Sequence, residues 1–175
     1  MQEKYDIAAP IARLCGEIAL IQLKKGLHFL SEQPYPSSLY EEAPWPEVLS
    51  YVSVMQQVYD RCTCGLKVTT GEQKGYFIKK PSSVTVSDIR LAIPFKDSRC
   101  QGRHKHAETF GHSKQLSQAE LWTWEESQRV LDGIMAIKHN LKIEAYPVKQ
   151  GPGRPVRAHG LYDRSKIVPA RTESL

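Results

Sequence analysis

The stretch Ser98–His112, SRCQGRHKHAETFGH, holds Cys100 and three of the chain's six histidines, His104, His106 and His112. Thiolate and imidazole are the ligands zinc prefers in a tetrahedral site. Cys100, His104 and His106 fall in a C-x3-H-x-H spacing, which supplies three donors and needs a fourth from elsewhere in the chain. Cys62 and Cys64 in DRCTCG are the natural sources, with His112 in reserve. A C-x-C pair in an extended run points its side chains to opposite faces, so one of the two is expected to coordinate. The competing readings of the same stretch are a solvated basic loop of Arg99, Arg103, His104, Lys105 and His106, and a catalytic histidine. Three or four protein donors would close a zinc site, which fits a structural role.

The elements that must position these residues are short. The segment DIAAPIARLCGEIALIQLKKG predicts a helix with Ile7, Ile11, Leu14, Ile18 and Ile21 on one apolar stripe. Asp6 is expected to cap it, Pro10 to lie in its first turn and Gly26 to end it. LHFLSEQP predicts a short buried strand, PEVLSYVSVM a helix opened by Pro46, and QVYDRC a second strand. LKVTT-GEQKG-YFIKK predicts a hairpin ended by Pro81, followed by the extended run SVTV. SDIRLAI begins a helix that Pro94 stops. In TWEESQRVLDGIMAIKHN, Thr123 and Glu126 form a capping box, and Val130, Leu131, Ile134, Met135 and Ile137 supply an apolar face that Gly133 weakens. Trp45, Trp122 and Trp124 are expected in core and hinge packing. His28 and Glu32, four apart in an extended run, could form an acid/base pair. The fold class expected is α/β, a small sheet with packed helices, and its domain occupies residues 1–145.

Composition narrows the classes. The chain has 175 residues, 41% apolar and 25% charged, enough for one core. No apolar run approaches the roughly 20 residues that span a bilayer, and Glu3 and Asp6 interrupt any amino-terminal targeting pattern. An intracellular protein, nuclear or cytoplasmic and without membrane contact, is the expectation. Four cysteines in a chain of this length argue for reduced thiols or metal ligands over a disulfide framework.

The formal net charge is +5, and residues 146–175 carry six Lys/Arg against Asp163 and Glu173. This segment has no apolar period and reads as a basic, disordered tail. Gly153-Arg154-Pro155, with Lys149 and Arg157 nearby, resembles the minor-groove core of AT-hook peptides, with Pro152 in place of the first arginine. Salt-sensitive nucleic-acid binding is the partner expected of such a tail. The remaining 145 residues together carry only +1, which predicts no basic face elsewhere.

The succession FLSEQP, YDRCTCGL, KKPSSV, RCQGRHKH and WTWEESQRVLDGI resembles the C-terminal half of phage-type cytosine-5 DNA methyltransferases and related retrotransposon polyprotein segments. The resemblance runs over roughly Ile7 to Ile137. It implies a fold like half of a Rossmann-like class I methyltransferase domain. Glu32, Gln33 and Pro34 match the family's Glu-Asn-Val/Pro motif, whose glutamate contacts the flipped cytosine. Lys80 and Pro81 match a Lys-Pro-Thr element. Asp60 and Cys62 match an Asp-x-Cys element, which favours Cys62 as partner to Cys100, His104 and His106. The chain lacks the family's glycine-rich S-adenosylmethionine turn and its Pro-Cys nucleophile, both of which would precede Met1. The implied function is a non-catalytic, nucleic-acid-associated module, with Lys80 and Arg103 joining the tail's Lys149, Arg154 and Arg157 as contacts. The alternatives are half of a split methyltransferase, in which a partner chain supplies the missing half-domain and Glu32 is catalytic, or a zinc-stabilised protein-interaction module.

Overall fold

A computed structural model of the chain describes residues 2–108 and 120–140, with side-chain burial from residue 7 onward. His112 and residues 146–175, including Lys149, Arg154 and Arg157, lie outside the described residues. The described chain is mixed α/β, built on a three-stranded antiparallel sheet of order β1-β3-β2. β1 is Leu30–Pro34, β2 is Met55–Asp60 and β3 is Pro81–Val86. Four α-helices accompany it: α1 (Gln2–Lys24), α2 (Trp45–Ser50), α3 (Ile89–Ala92) and α4 (Trp124–Lys138).

Register decides which strand residues share a face. Glu32 pairs with Val84 and Gln57 with Val84, while Ser31 and Gln56 both pair with Thr85. Val84, Val86, Leu30, Met55 and Tyr59 therefore face one layer. There they meet Leu91, Ala92 and Phe95, and Val130 and Ile137 of α4. The opposite face is polar at its centre. Thr85 donates to the Tyr40 hydroxyl at 2.7 Å, and Gln56 donates to Ser83 and Thr85. Above it, Ala19 and Leu20 of α1 pack with Trp45 and Val48 of α2. Trp45 also donates its indole N–H to the Ala12 carbonyl at 2.8 Å.

Helix α1 departs from the sequence reading in two ways. It begins before Asp6, so Pro10 sits inside the helix, where its ring removes an i→i−4 bond. Its stripe of Ile7, Ile11, Leu14, Ile18 and Ile21 is exposed, and the buried side is Ala9, Ala12, Ala19 and Leu20. The reason is close approach: Gly16 lies against Pro44 and Trp45, where even a Cβ would come within 2.8 Å. Gly26, at φ +65, ends the helix, and the Leu27 N–H returns to the Gln22 carbonyl at 2.8 Å.

The predicted hairpin forms as a narrow pairing, and Pro81 opens β3 as well as following it. Val68 N–H donates to the Tyr76 carbonyl and Ile78 N–H to the Leu66 carbonyl. The chain at 105–107 joins alongside, with Phe77 N–H on the Lys105 carbonyl and Ala107 N–H on the Phe77 carbonyl. Leu66, Val68, Ile78 and Ala107 bury a small third core cluster beneath it.

In α4 the capping box of Thr123 and Glu126 is formed. The helix packs through Val130, Gly133 and Ile137, while Leu131, Ile134 and Met135 are exposed. Gly133 is the point of nearest approach to α3, its missing Cβ position 2.9 Å from the Leu91 Cα. Trp45 is buried as expected, but Trp122 and Trp124 are exposed, Trp124 by 79%. No helix among the described residues is long and apolar enough to cross a membrane.

Candidate metal centre

β2 ends at Asp60 and runs into the 3-10 turn Arg61–Cys64, closed by Gly65 at φ +81. The turn separates the two cysteines. Cys64 enters the main core beside Tyr59, Val84 and Phe95. Cys62 points the other way, toward the loop that carries Cys100, His104 and His106. The separation expected of an extended C-x-C is thus produced by a 3-10 turn.

One donor atom from each of Cys62, Cys100, His104 and His106 lies within 4.8 Å of all the others. Cys100 Sγ is 3.6 Å from His104 Nε2 and 3.4 Å from His106 Nε2. A tetrahedral zinc with Zn–S near 2.3 Å and Zn–N near 2.05 Å separates its sulfur and nitrogen ligands by about 3.6 Å. The four side chains could therefore hold a metal ion with little movement.

The loop is braced from several sides. Asp60 accepts the Cys100 N–H at 2.8 Å on Oδ2, an oxygen that also meets Arg99 Nε at 3.2 Å. The Asp60 N–H donates to the Ser98 carbonyl, and the Thr63 hydroxyl donates to the Asp60 and Ser98 carbonyls. Gly102, at φ +73, aims its N–H at Cys100 Sγ, 3.4 Å away. The Phe77 ring stacks on His104 with centroids 4.1 Å apart, and His104 meets His106 edge-on at 4.6 Å. Asp60 was visible in the sequence only through the resemblance. Phe77 and Gly102 were not singled out, since only their spatial neighbours give them a role.

Electrostatics fit cation binding. Burial, then the neighbouring Cys100 thiol and Asp60, push the Cys62 thiol up to about 12. Burial, then His104 and Lys79, lower the pKa of His106, keeping it neutral as a ligand must be. A divalent cation would supply the charge that lets the buried Cys62 thiol ionise.

The charge distribution corrects the sequence reading. The low net charge of the first 145 residues hides two opposed segments. Residues 1–60 carry four Lys/Arg against eight Asp/Glu, a net −4. Residues 61–108 carry ten against four, a net +6. Arg99, Arg103 and Lys105 are exposed on the loop that holds Cys100, His104 and His106, and Lys67 and Lys79 on the hairpin beside it. A cleft of about 600 Å³ opens between Cys62, Phe77, Cys100 and His104, with Lys67, Arg99 and Arg103 on its walls and Asp97 and Glu125 opposing them. Lys67 Nζ stands 4.5 Å from the Phe77 ring centre, and Lys105 Nζ donates to the Tyr76 hydroxyl at 2.7 Å.

The remaining candidates fall elsewhere. Glu32 is half-buried on the Tyr59 face of the sheet, within electrostatic reach of Tyr59, Arg61 and Lys80. His28 precedes β1 and approaches Asp88, with Nδ1 4.0 Å from Oδ2, so the carboxylate it meets is that of Asp88 and the His28–Glu32 pair is not formed. Lys80 is half-buried. Burial and then Arg61 lower its pKa, while Glu32, Glu120 and Glu126 oppose them.

No family model, curated protein or solved structure matches the chain.

Proposed function

We propose that the chain is a non-catalytic, nucleic-acid-associated module whose binding surface is folded around a structural zinc ion. Two thiolates and two imidazoles fill a tetrahedron and leave no position for substrate or water, which favours structure over hydrolysis. The observation that carries the reading is the coincidence of that cluster with the exposed cations Lys67, Lys79, Arg99, Arg103 and Lys105 around it. Arg103 projects from the loop that holds Cys100, His104 and His106, Lys67 and Lys79 from the neighbouring hairpin, and Phe77 and Tyr76 lie half-exposed among them. Cations of this density neutralise backbone phosphates and release counterions, while aromatic faces stack bases.

Fluorescence anisotropy of labelled single- and double-stranded 20-mers over a salt series tests this reading. The expected result is affinity that falls steeply with salt and is lost on chelation. The triple variant Lys67→Glu/Lys79→Glu/Arg103→Glu should weaken binding more than tenfold and reduce the log–log salt slope by about three. Absence of binding, or binding carried wholly by residues 146–175, would contradict it.

A second reading, half of a Rossmann-like methyltransferase domain completed by a partner chain, is favoured by the edge of the sheet. The bonds of Tyr35 N–H to the Pro81 carbonyl and Ser87 N–H to the Phe29 carbonyl fix which β1 groups turn inward. In that register the backbone N–H and C=O of Leu30 and Glu32 point away from β3. No further strand of the described residues covers that edge. Methyl transfer to cytosine on adding a cofactor-binding half, abolished by Glu32→Ala, is the outcome that separates this reading from the first.

A further inference from the structure

Helix α1 turns its most apolar side away from the other described residues. Ile7, Ile11, Leu14, Ile18 and Ile21 are each 48–66% exposed. The opposite side, with Ala12, Gly16 and Ala19, is the one seated on α2. The exposed residues recur at intervals of four, three, four and three. That is a 3.5-residue period, with Ile11 and Ile18 at a positions and Ile7, Leu14 and Ile21 at d positions of a heptad.

The width of the stripe separates its possible occupants. A helix face meant for a protein core is broader and adds apolar e or g positions. Here the flanks hold no large apolar side chain: Ala8, Cys15 and Gln22 lie on one side and Pro10, Glu17 and Lys24 on the other. A surface helix for membranes carries a Lys/Arg-rich polar face opposite its apolar one, whereas the cations of α1, Lys4, Arg13 and Lys24, are balanced by Glu3, Asp6 and Glu17. A narrow a/d seam is complementary to another helix with the same seam. The series would continue to Lys4 and Lys25, so it ends within one short helix.

The area also fits. Five side chains at these exposures present on the order of 500 Å² of apolar surface in one strip, a size that marks interaction sites. Two such strips face to face bury about 1,000 Å², the lower bound for a specific interface.

We propose that a second copy of this chain covers the seam, giving a homodimer joined through α1. The surface shares no residue with the metal centre, so the inference stands apart from the nucleic-acid reading. Isologous pairing puts the same residues on both sides of the interface, which is the simplest way a repetitive Ile/Leu seam meets its match.

Sedimentation equilibrium of the full chain as purified, under reducing conditions and from about 1 to 100 µM, is the test. Reductant removes any contribution from an exposed Cys15 disulfide. The dimer should appear at twice the 19.9 kDa chain mass. Ile11→Asp/Ile18→Asp, and separately Ile18→Gln, should shift the population to monomer with unchanged circular dichroism and zinc content. A wild-type chain that stays monomeric over the range overturns the proposal. So does a dimer that persists in both variants, or a monomer that binds lipid vesicles through the same residues.

Discussion

Arg61 and Glu126, 65 residues apart and each 1% exposed, form a buried ion pair with Arg61 Nε 2.5 Å from Glu126 Oε1. The guanidinium also donates from its second arm to Glu126 Oε2 at 2.6 Å and to the Leu121 carbonyl at 2.6 Å. The Tyr59 hydroxyl donates to the same carboxylate at 3.1 Å. Glu126 meanwhile closes the α4 capping box by accepting the Thr123 N–H at 2.7 Å. One carboxylate thus ties the turn that carries Cys62 to the start of α4. Glu126→Gln should cost about 3–5 kcal/mol, because it strands a buried guanidinium. Arg61→Met/Glu126→Leu should recover much of that loss. Urea midpoints of the three proteins decide it.

Gly133→Ala should destabilise the chain although alanine is the better helix former by about 1 kcal/mol. The new Cβ would meet the Leu91 Cα at 2.9 Å and the Arg90 carbonyl at 3.0 Å, both backbone atoms. Pushing α3 and α4 apart costs about 1–3 kcal/mol. A raised Tm would show that the helices separate more easily than this packing implies.

The two neighbouring cysteines should behave differently. Cys62→Ser should abolish metal binding and, with it, the order of the 98–108 loop. Cys64→Ser should keep the metal and lose about 1–3 kcal/mol, since it buries a hydroxyl among Tyr59, Val84 and Phe95 and the Thr63 hydroxyl, 3.9 Å from the present sulfur, is too far for a good oxygen–oxygen hydrogen bond. Zinc stoichiometry and thermal melts on both variants separate the roles.

Asp88 should give the fold an acid-sensitive component. Burial pushes its carboxyl up, but hydrogen bonds and charge from Arg90 outweigh this and hold it below the usual 3.8. It accepts the Arg90 N–H at 2.9 Å as the α3 cap, and Arg90 Nη2 at 2.6 Å. A depressed carboxyl adds stability above its unfolded pKa and loses it as pH falls through the folded one. Asp88→Asn keeps a capping oxygen but removes the charge that holds Arg90, and should therefore lower stability at pH 7 by up to about 1 kcal/mol. It should also flatten the loss of stability below pH 4, as acid titration of both proteins would show.

The sequence carried the elements better than their faces. The Thr123–Glu126 capping box and the Gly26 stop were legible because each depends on local residue chemistry. The three strands were legible as runs, but their antiparallel order depends on pairings up to 56 residues apart. The exposure of the α1 stripe was not legible, because period alone does not say which side of a helix meets the domain. There the small side wins, since Gly16 and the alanines let Trp45 approach. The four metal donors stood in the sequence as types and spacings. Their convergence depends on Asp60 fixing the Cys100 backbone, a contact across 40 residues. The +6 of residues 61–108 was hidden by averaging it with the acidic first 60.

The zinc-to-chain ratio of untagged protein, measured by elemental mass spectrometry beside Cys100→Ser, bears most directly on the metal centre. The account predicts one zinc per chain in the wild type and none in the variant. A folded wild-type chain free of metal would contradict it and leave the Cys/His loop as a basic surface held by Asp60, Thr63 and the backbone bonds of Phe77 to Lys105 and Ala107.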